Sequence, residues 1–494
     1  MQLKLLNKLK IISLILGGLC ALGNNPWALW YLSILSLIVW FWHIIKNDIP
    51  RKIFTETFQF GFGYFAISLI WIVEPFLVEP WIHGWIAPIA LITLPSFLAL
   101  NWALFAFLGH YYLSYIGLVI GLSLAEYCRL YLLTGFPWAT ISYVLLDTTA
   151  EKWLYQLGPY GLSLFLLLTC FIVALSLQVR KKINALLAIC TICTLFFVPH
   201  FFKKDVLKNL DVSVRLIQPN AVQEKKWSED FAPIFFEKMI EMTAQQQKPD
   251  IIIWPETSLY SLYNSAFEEL DKMRKAAEES ILIFGALRID PTNFLKNSLV
   301  IENKNQEPVF YDKAKLVPFG EYLPLINLRS YFKTSERSNL FGWGFKKGKG
   351  SELLNLPNGL NFVPLICYEA IFSNFLKPSV KNADFILQIT NDAWFGKSIG
   401  PQQHLAQLRI RAIEYGLPVI RVANTGISAI IDANGKVIKN ISVNNSGYLD
   451  SFIPSRKHST IYGKFGNLIF LLLIFFAVVI AFLNKKIINR KNKR

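Results

Sequence analysis

Apolar residues are concentrated in residues 1–200 and again in 467–483, with a far more polar block between them. That distribution constrains the fold more than any single motif. A membrane-spanning helix needs about 20 apolar residues, within a range of roughly 17–25. The stretches 11–23, 27–45, 57–73, 86–108, 112–127, 160–178, 184–200 and 467–483 are candidate spans, the first and fifth being short. With 53% of its 494 residues hydrophobic, the chain is too apolar for an ordinary soluble protein. The first stretch also has the outline of a secretory signal, with a Lys-rich start and small residues near Ala21 and Gly23. Leu19 stands where a lipoprotein signal needs a small residue before Cys20, and an uncleaved first span is the preferred reading.

Charge follows the same division. The formal net charge is +16, and the spans are flanked by Lys4, Lys8 and Lys10, then Lys46, Arg51 and Lys52, then Arg180, Lys181 and Lys182. The tail adds Lys485, Lys486, Arg490, Lys491, Lys493 and Arg494. Only Asp48 accompanies them, so +14 of the +16 lies at these flanks. Under the positive-inside rule they share the cytoplasmic side. The expected order is a membrane domain of about seven transmembrane helices over 1–200 and an extracytoplasmic domain over 201–465. A C-terminal transmembrane helix and basic cytoplasmic tail follow over 466–494. Little net charge remains to give the middle block a basic face, which argues against a nucleic-acid partner.

The middle block alternates Ile- and Val-rich runs with helical segments. VSVRLIQPN, DIIIWPE, ILIFGALRI, SLVIENK, LNFVPLICYE, FILQITND, PVIRVANTG and ISAIIDANG read as strands. FAPIFFEKMIEMTAQQQ, SAFEELDKMRKAAEE and PQQHLAQLRIRAIEYG read as helices and ISAIIDANGKVIKNI as a hairpin-like pair, giving a layered α/β sandwich. Residues 329–350 mix Phe341, Trp343 and Phe345 with glycines and lysines. They read either as a solvated loop or as a lid whose aromatic residues dip into the membrane interface. TGFPWATISY, between the fifth and sixth spans, reads as structure packed at the membrane surface.

The six cysteines form no disulfide framework, since Cys20, Cys170, Cys190 and Cys193 lie in apolar runs and Cys128 near the end of one. Cys367 alone falls in the polar block, at the end of a strand and before YEAIF. A strand-to-helix elbow there presents the side chain at the sheet edge, with the backbone N–H groups that follow available to an oxyanion. The bland alternative is a buried, inert thiol. Glu256 closes IIIWPE, where a carboxylate is suited to general-base work or, more plainly, to a helix cap or ion pair. Lys313 and Lys315 precede LVPFGEY, and spacing alone does not choose between them as an oxyanion partner. Glu321 follows and could anchor either.

Taken together, WPE, then YDKAKLVPFGE, then CYE, TNDAWFG and ANTGISAIID resemble the nitrilase superfamily of carbon–nitrogen hydrolases. The LVPFGE form behind this many spans is similar to the apolipoprotein N-acyltransferase family, and the likeness extends to TGFPW and QPNAVQEKKW. The resemblance implies an αββα soluble domain and a catalytic triad of Glu256, Lys313 and Cys367, which settles the lysine. It implies Trp227, Glu321, Tyr368 and Glu369 as supporting positions. It further implies a membrane phospholipid acyl donor, with phosphatidylethanolamine expected, and a diacylated apolipoprotein acceptor. No metal or organic cofactor is implied, and the site belongs on the periplasmic side of a bacterial inner membrane. The alternative is a membrane-tethered amide or nitrile hydrolase with the same triad, for which seven preceding spans are excessive. A transporter or scaffold with a degenerate domain is the third reading. Few ionisable residues interrupt the spans, and the triad is intact, both of which count against it.

Overall fold

A computed structural model describes residues 11–47, 50–202, 207–304, 306–322 and 344–491. The chain divides into two compact units, one of residues 1–205 with 460–494 and the other of residues 206–459.

In the first unit the apolar stretches are helical. Ile12–Ala21, Trp30–Asn47, Pro50–Ser68, Leu154–Val179, Lys182–Phe196 and Leu468–Lys491 coincide with six of the eight candidate spans. The stretches 86–108 and 112–127 form a helical hairpin, broken at Leu113 and Ser114, where Ser114 has φ 57°. Glycine permits the close return. A Cβ at Gly109 would lie 2.0 Å from the Gly117 carbonyl oxygen, and one at Gly117 would lie 1.9 Å from that of Gly109. Small residues that let backbones touch are the usual packing device where lipid supplies no hydrophobic drive between helices. Ile86–Cys128, Thr149–Val179 and Lys182–Phe201 are long and apolar enough to cross a membrane among the described residues. Lys52–Ser68 with Ile70–Leu77, bent by 47°, would make a fourth. Ile12–Ala21, Trp30–Lys46 and Leu468–Leu483 are shorter apolar helices. Outward side chains of the helices in this unit, Ile15, Leu35, Ile92, Leu187 and Phe475 among them, are exposed, a surface suited to lipid rather than water.

The TGFPW loop is held by buried charge. Glu126 pairs with Arg129 at 3.0 Å, and also accepts from the Trp102 indole at 2.9 Å and the Ile141 N–H at 2.8 Å. Arg129 donates to the Trp138 carbonyl at 3.0 Å, and the Trp138 side chain is buried.

The second unit is an αββα sandwich. Its described strands are β1 (Asn209–Gln218), β2 (Ile251–Ile253), β3 (Ile281–Ile289), β4 (Leu295–Glu302), β5 (Val309–Asp312), β6 (Leu354–Asn355), β7 (Asn361–Ile366), β8 (Phe385–Thr390), β9 (Val419–Ala423), β10 (Ser428–Ile431), β11 (Val437–Ile441) and β12 (Gly447–Pro454). One sheet has the order β12-β1-β2-β3-β4-β5 and the other β11-β10-β9-β8-β7-β6. Successive strand residues face opposite sides. Ile251 and Ile253 therefore enter the core between the sheets, with Ile283, Phe362, Ile389 and Val422. Ile252, Leu282 and Phe284 turn outward onto Phe236, Met239 and Met273 of the helices Ala232–Thr243 and Phe267–Ala277. Each fully buried aliphatic or aromatic side chain contributes about 1.5–3 kcal/mol. The helix Gly400–Tyr415 packs over the other sheet.

Strands β5, β6 and β12 are additions to those read from the sequence. They are short or half-exposed, and their residues carry little period-2 signal. Of the segment read as a lid, residues 329–343 lie outside the described residues. The described end is tied down, with the Lys346 N–H on the Leu295 carbonyl at 3.0 Å and the Gly348 N–H on the Lys313 carbonyl at 2.9 Å.

Candidate active site

Glu256, Lys313 and Cys367 stand just beyond the carboxyl ends of β2, β5 and β7, where α/β sheets collect their reactive groups. Glu256 and Lys313 are 6% and 2% exposed. Lys313 Nζ lies 3.2 Å from Glu256 Oε1 and 2.8 Å from Glu321 Oε1. Glu256 Oε1 also accepts from Asn297 Nδ2 at 2.8 Å, and Oε2 from the Asn391 N–H at 2.9 Å. Glu321 is braced in turn by the Val317 N–H at 2.7 Å. Burial pulls the Lys313 ammonium down, but Glu256 and Glu321 more than offset this and hold it well above its ordinary value. A lysine so held is a fixed cation.

Cys367 opens a single 3-10 turn, Cys367–Ile371, where the sequence reading expected a strand-to-helix elbow. Its φ is +50°, a left-handed conformation that is sparsely populated for a non-glycine residue and costs about 1–3 kcal/mol. A buried network holds the elbow there. Gln388 Nε2 donates to the Cys367 carbonyl at 2.8 Å, and His404 Nε2 lies 3.2 Å from the same oxygen. His404 Nδ1 lies 2.9 Å from Asp392 Oδ1, and Arg421 bonds both Asp392 and Gln388. The thiol is buried. Desolvation pushes it up, Glu256 adds to the rise, and Lys313 opposes it. It is therefore no resting thiolate.

The supporting positions divide by what they touch. Glu369 is fully buried and accepts four hydrogen bonds. Oε1 takes the Ala314 and Lys315 N–H groups at 2.7 and 3.1 Å, and Oε2 takes the Tyr311 hydroxyl and Ile366 N–H at 2.9 and 2.8 Å. It thus ties the Cys367 turn to the segment that carries Lys313. Burial raises its carboxyl to about 7, against the pull of these four donors. Tyr368 is buried and meets Phe372 edge-on at 5.3 Å. Trp227 is 44% exposed and lines a cavity with Lys226, Phe235, Glu256, Thr257 and Tyr260. Lys315 is exposed, with its ammonium 5.0 Å from the centre of the Phe372 ring.

Several residues around Glu256, Lys313 and Cys367 carried no assignment in the sequence: Asn297, Gln388, His404 and Arg421. Thr390, Asn391 and Asp392 sat inside the quoted TNDAWFG run without a role. Lys226 lies inside the quoted QPNAVQEKKW run, likewise without a role.

Layers, sheet order and the Glu–Lys–Cys site define a carbon–nitrogen hydrolase fold, and the carbon-nitrogen hydrolase family model matches residues 213–456. The model of the apolipoprotein N-acyltransferase N-terminal domain matches residues 16–172. An apolipoprotein N-acyltransferase of Rhizobium rhizogenes is 33% identical, covering 87% of this chain and 86% of that protein. One of Rhodopseudomonas palustris is 31% identical, covering 97% and 96%. An amidase of Nesterenkonia sp. overlaps 51% of this chain and 93% of its own at 16% identity and a TM-score of 0.36. This chain belongs to the apolipoprotein N-acyltransferase family, and it is a membrane-bound acyltransferase.

Proposed function

We propose that the protein moves an acyl chain from a membrane phospholipid to the N-terminal amine of the diacylglyceryl-cysteine of an apolipoprotein. The chain would rest in between as a thioester on Cys367. The observation that carries this reading is the Glu256–Lys313 pair, 3.2 Å apart, held beside the buried Cys367 elbow. Because the thiol resists ionisation, its proton must move during attack, and Glu256 is the acceptor.

The steps balance. Sulfur bonds to the ester carbonyl carbon, and Glu256 takes the thiol proton. Lys313 stabilises the oxyanion. The ester C–O bond breaks, and the proton passes to the departing lysophospholipid oxygen. The lipoprotein amine then bonds to the same carbon, the C–S bond breaks, and the surplus amine proton returns to sulfur through Glu256.

Phosphatidylethanolamine is the proposed donor. We place the enzyme in the bacterial cytoplasmic (inner) membrane with eight spans and the catalytic unit on the periplasmic side, as the basic flanks support. Anchoring the enzyme in the bilayer that holds both substrates turns two three-dimensional searches into local ones.

Partition of the acyl group tests the reading. Enzyme preloaded from labelled phosphatidylethanolamine is mixed with a diacylated lipopeptide, and labelled amide and free fatty acid are measured. Amide should dominate. Free fatty acid forming as fast with lipopeptide as without it would favour the hydrolase reading instead.

A further inference from the structure

Glu256 is fixed at its carboxylate by Lys313, Asn297 and Asn391. A second buried amine fixes it at its backbone. Lys226 Nζ donates to the Glu256 carbonyl at 3.2 Å and to Thr257 Oγ1 at 2.7 Å. We propose that Lys226 is a positioning residue for Glu256, gripping the Glu256–Thr257 peptide so that the carboxylate stays where Cys367 needs it. The inference rests on the reading of Glu256 as the base.

Three observations support it. The first is strain. Thr257 has φ +46°, an outlier for a β-branched residue, so the backbone just after the base is held in a conformation it would not keep unaided. The second is crowding on strand β3. A Cβ at Gly285 would lie 2.5 Å from the Thr257 nitrogen and 2.6 Å from the Glu256 Cα. The strained peptide is therefore pressed close to the sheet, where the Ser258 N–H meets the Gly285 carbonyl at 2.8 Å. The third is the state of Lys226 itself. It is 7% exposed, and no carboxylate oxygen lies within 4.0 Å of its ammonium among the described residues. A cation buried without a carboxylate at contact is costly, and such groups cluster at functional sites. Burial lowers Lys226 to about 8, while Glu256 and Cys367 pull it upward, so the amine senses both reacting groups.

A positioning role makes a specific demand. Glu256 handles a proton in both half-reactions, so loss of the grip must slow both, and by similar factors. Substrate binding should barely change.

The test uses the full-length enzyme in lipid bicelles. Rates of Cys367 acylation from labelled phosphatidylethanolamine, and of its discharge by a diacylated lipopeptide, are followed in single turnovers. Lys226→Met should slow both by between about 10- and 100-fold, the penalty expected for displacing a catalytic group. The donor concentration at half-maximal rate should stay within about twofold. Lys226→Arg should recover part of both rates. Thr257→Val, which removes the other partner, should cost up to about tenfold. In the double variant the losses should fall short of their product, since both act on one peptide.

Slowing of acylation alone, with a raised half-saturation, would make Lys226 a donor-binding residue and overturn the proposal. Unchanged rates in both steps would overturn it too. If Lys226→Met does not fold, Thr257→Val decides the matter, with an equal slowing of both steps required. The wild-type adduct is the control. Its absence would sink the acyl-enzyme reading, whereas its presence with unaffected variants would sink only the role of Lys226.

Discussion

The two units bury polar groups in opposite ways. In the membrane unit the main buried ion pair is Glu126–Arg129, and it serves a local end, fastening the TGFPW loop to neighbouring helices. Elsewhere that unit packs by aromatic contact and close glycine approach, as between Phe65 and Trp102 at 4.7 Å. In the catalytic unit buried charge is dense and interlocked. Lys226, Glu256, Lys313, Glu369, Asp392, His404 and Arg421 are all buried, and nearly all touch Glu256, the Cys367 turn or the segment bearing Lys313. On the reading proposed above, the buried charge of the membrane unit maintains a shape, and that around Cys367 maintains a reaction geometry. The first kind should appear in stability and the second in rate.

The largest effect should come from Glu369→Gln. Every partner of this carboxylate is a donor, so an amide would set its own N–H₂ against an N–H or a hydroxyl on one side. Acyl transfer should fall to background, and the catalytic unit should lose at least about 2 kcal/mol, read by thermal unfolding in detergent. Retained activity would break the link between Glu369 and the triad. Next comes Glu126→Gln, which leaves Arg129 buried without its counter-charge. A loss of about 3–5 kcal/mol in stability is expected, with turnover per folded molecule unchanged. A fall in turnover equal to that of a triad variant would erase the contrast between the units.

A smaller effect concerns pH. An unfolded lysine titrates near 10.5, and Lys226 in the fold near 8. Between these values the unfolded chain holds the extra proton, so raising the pH favours the folded state, and the gain is complete above 10.5. Wild-type stability should rise across this window relative to Lys226→Met, by on the order of 3 kcal/mol. Parallel curves for the two proteins would contradict a cationic, buried Lys226. The smallest expected effect is Trp227→Ala. Its half-exposed ring leaves stability within about 0.5 kcal/mol of wild type, while acylation slows through the altered cavity wall. Equal acylation rates would remove Trp227 from the site.

The sequence was legible where one physical pattern dominated. Long apolar runs marked the helices, and the Ile- and Val-rich runs marked β1–β4 and β7–β10. Strands β5 and β12 escaped because half-exposed edge strands carry a mixed pattern. The break at Leu113–Ser114 was implied by two separate spans, but the glycine contacts that close the hairpin are a matter of three-dimensional approach. In the site, Glu256, Lys313 and Cys367 could be named as candidates from the family motifs. Lys226 lies inside the QPNAVQEKKW run, yet nothing in the chain separates it from Lys225 until the fold buries one and leaves the other exposed. His404 and Arg421 were hidden for a related reason. Each sits in an ordinary helical or strand pattern, and only the packing of the helix Gly400–Tyr415 on its sheet brings His404 to the Cys367 carbonyl and Arg421 to His404.

The central claim, that Cys367 carries the acyl group, is open to one direct measurement. The enzyme is incubated with labelled phospholipid and no acceptor, then digested and analysed by mass spectrometry. A hydroxylamine-sensitive acyl adduct on the peptide containing Cys367 is predicted, absent from Cys367→Ala. A folded enzyme without the adduct, or an equal adduct on the alanine variant, would contradict the account.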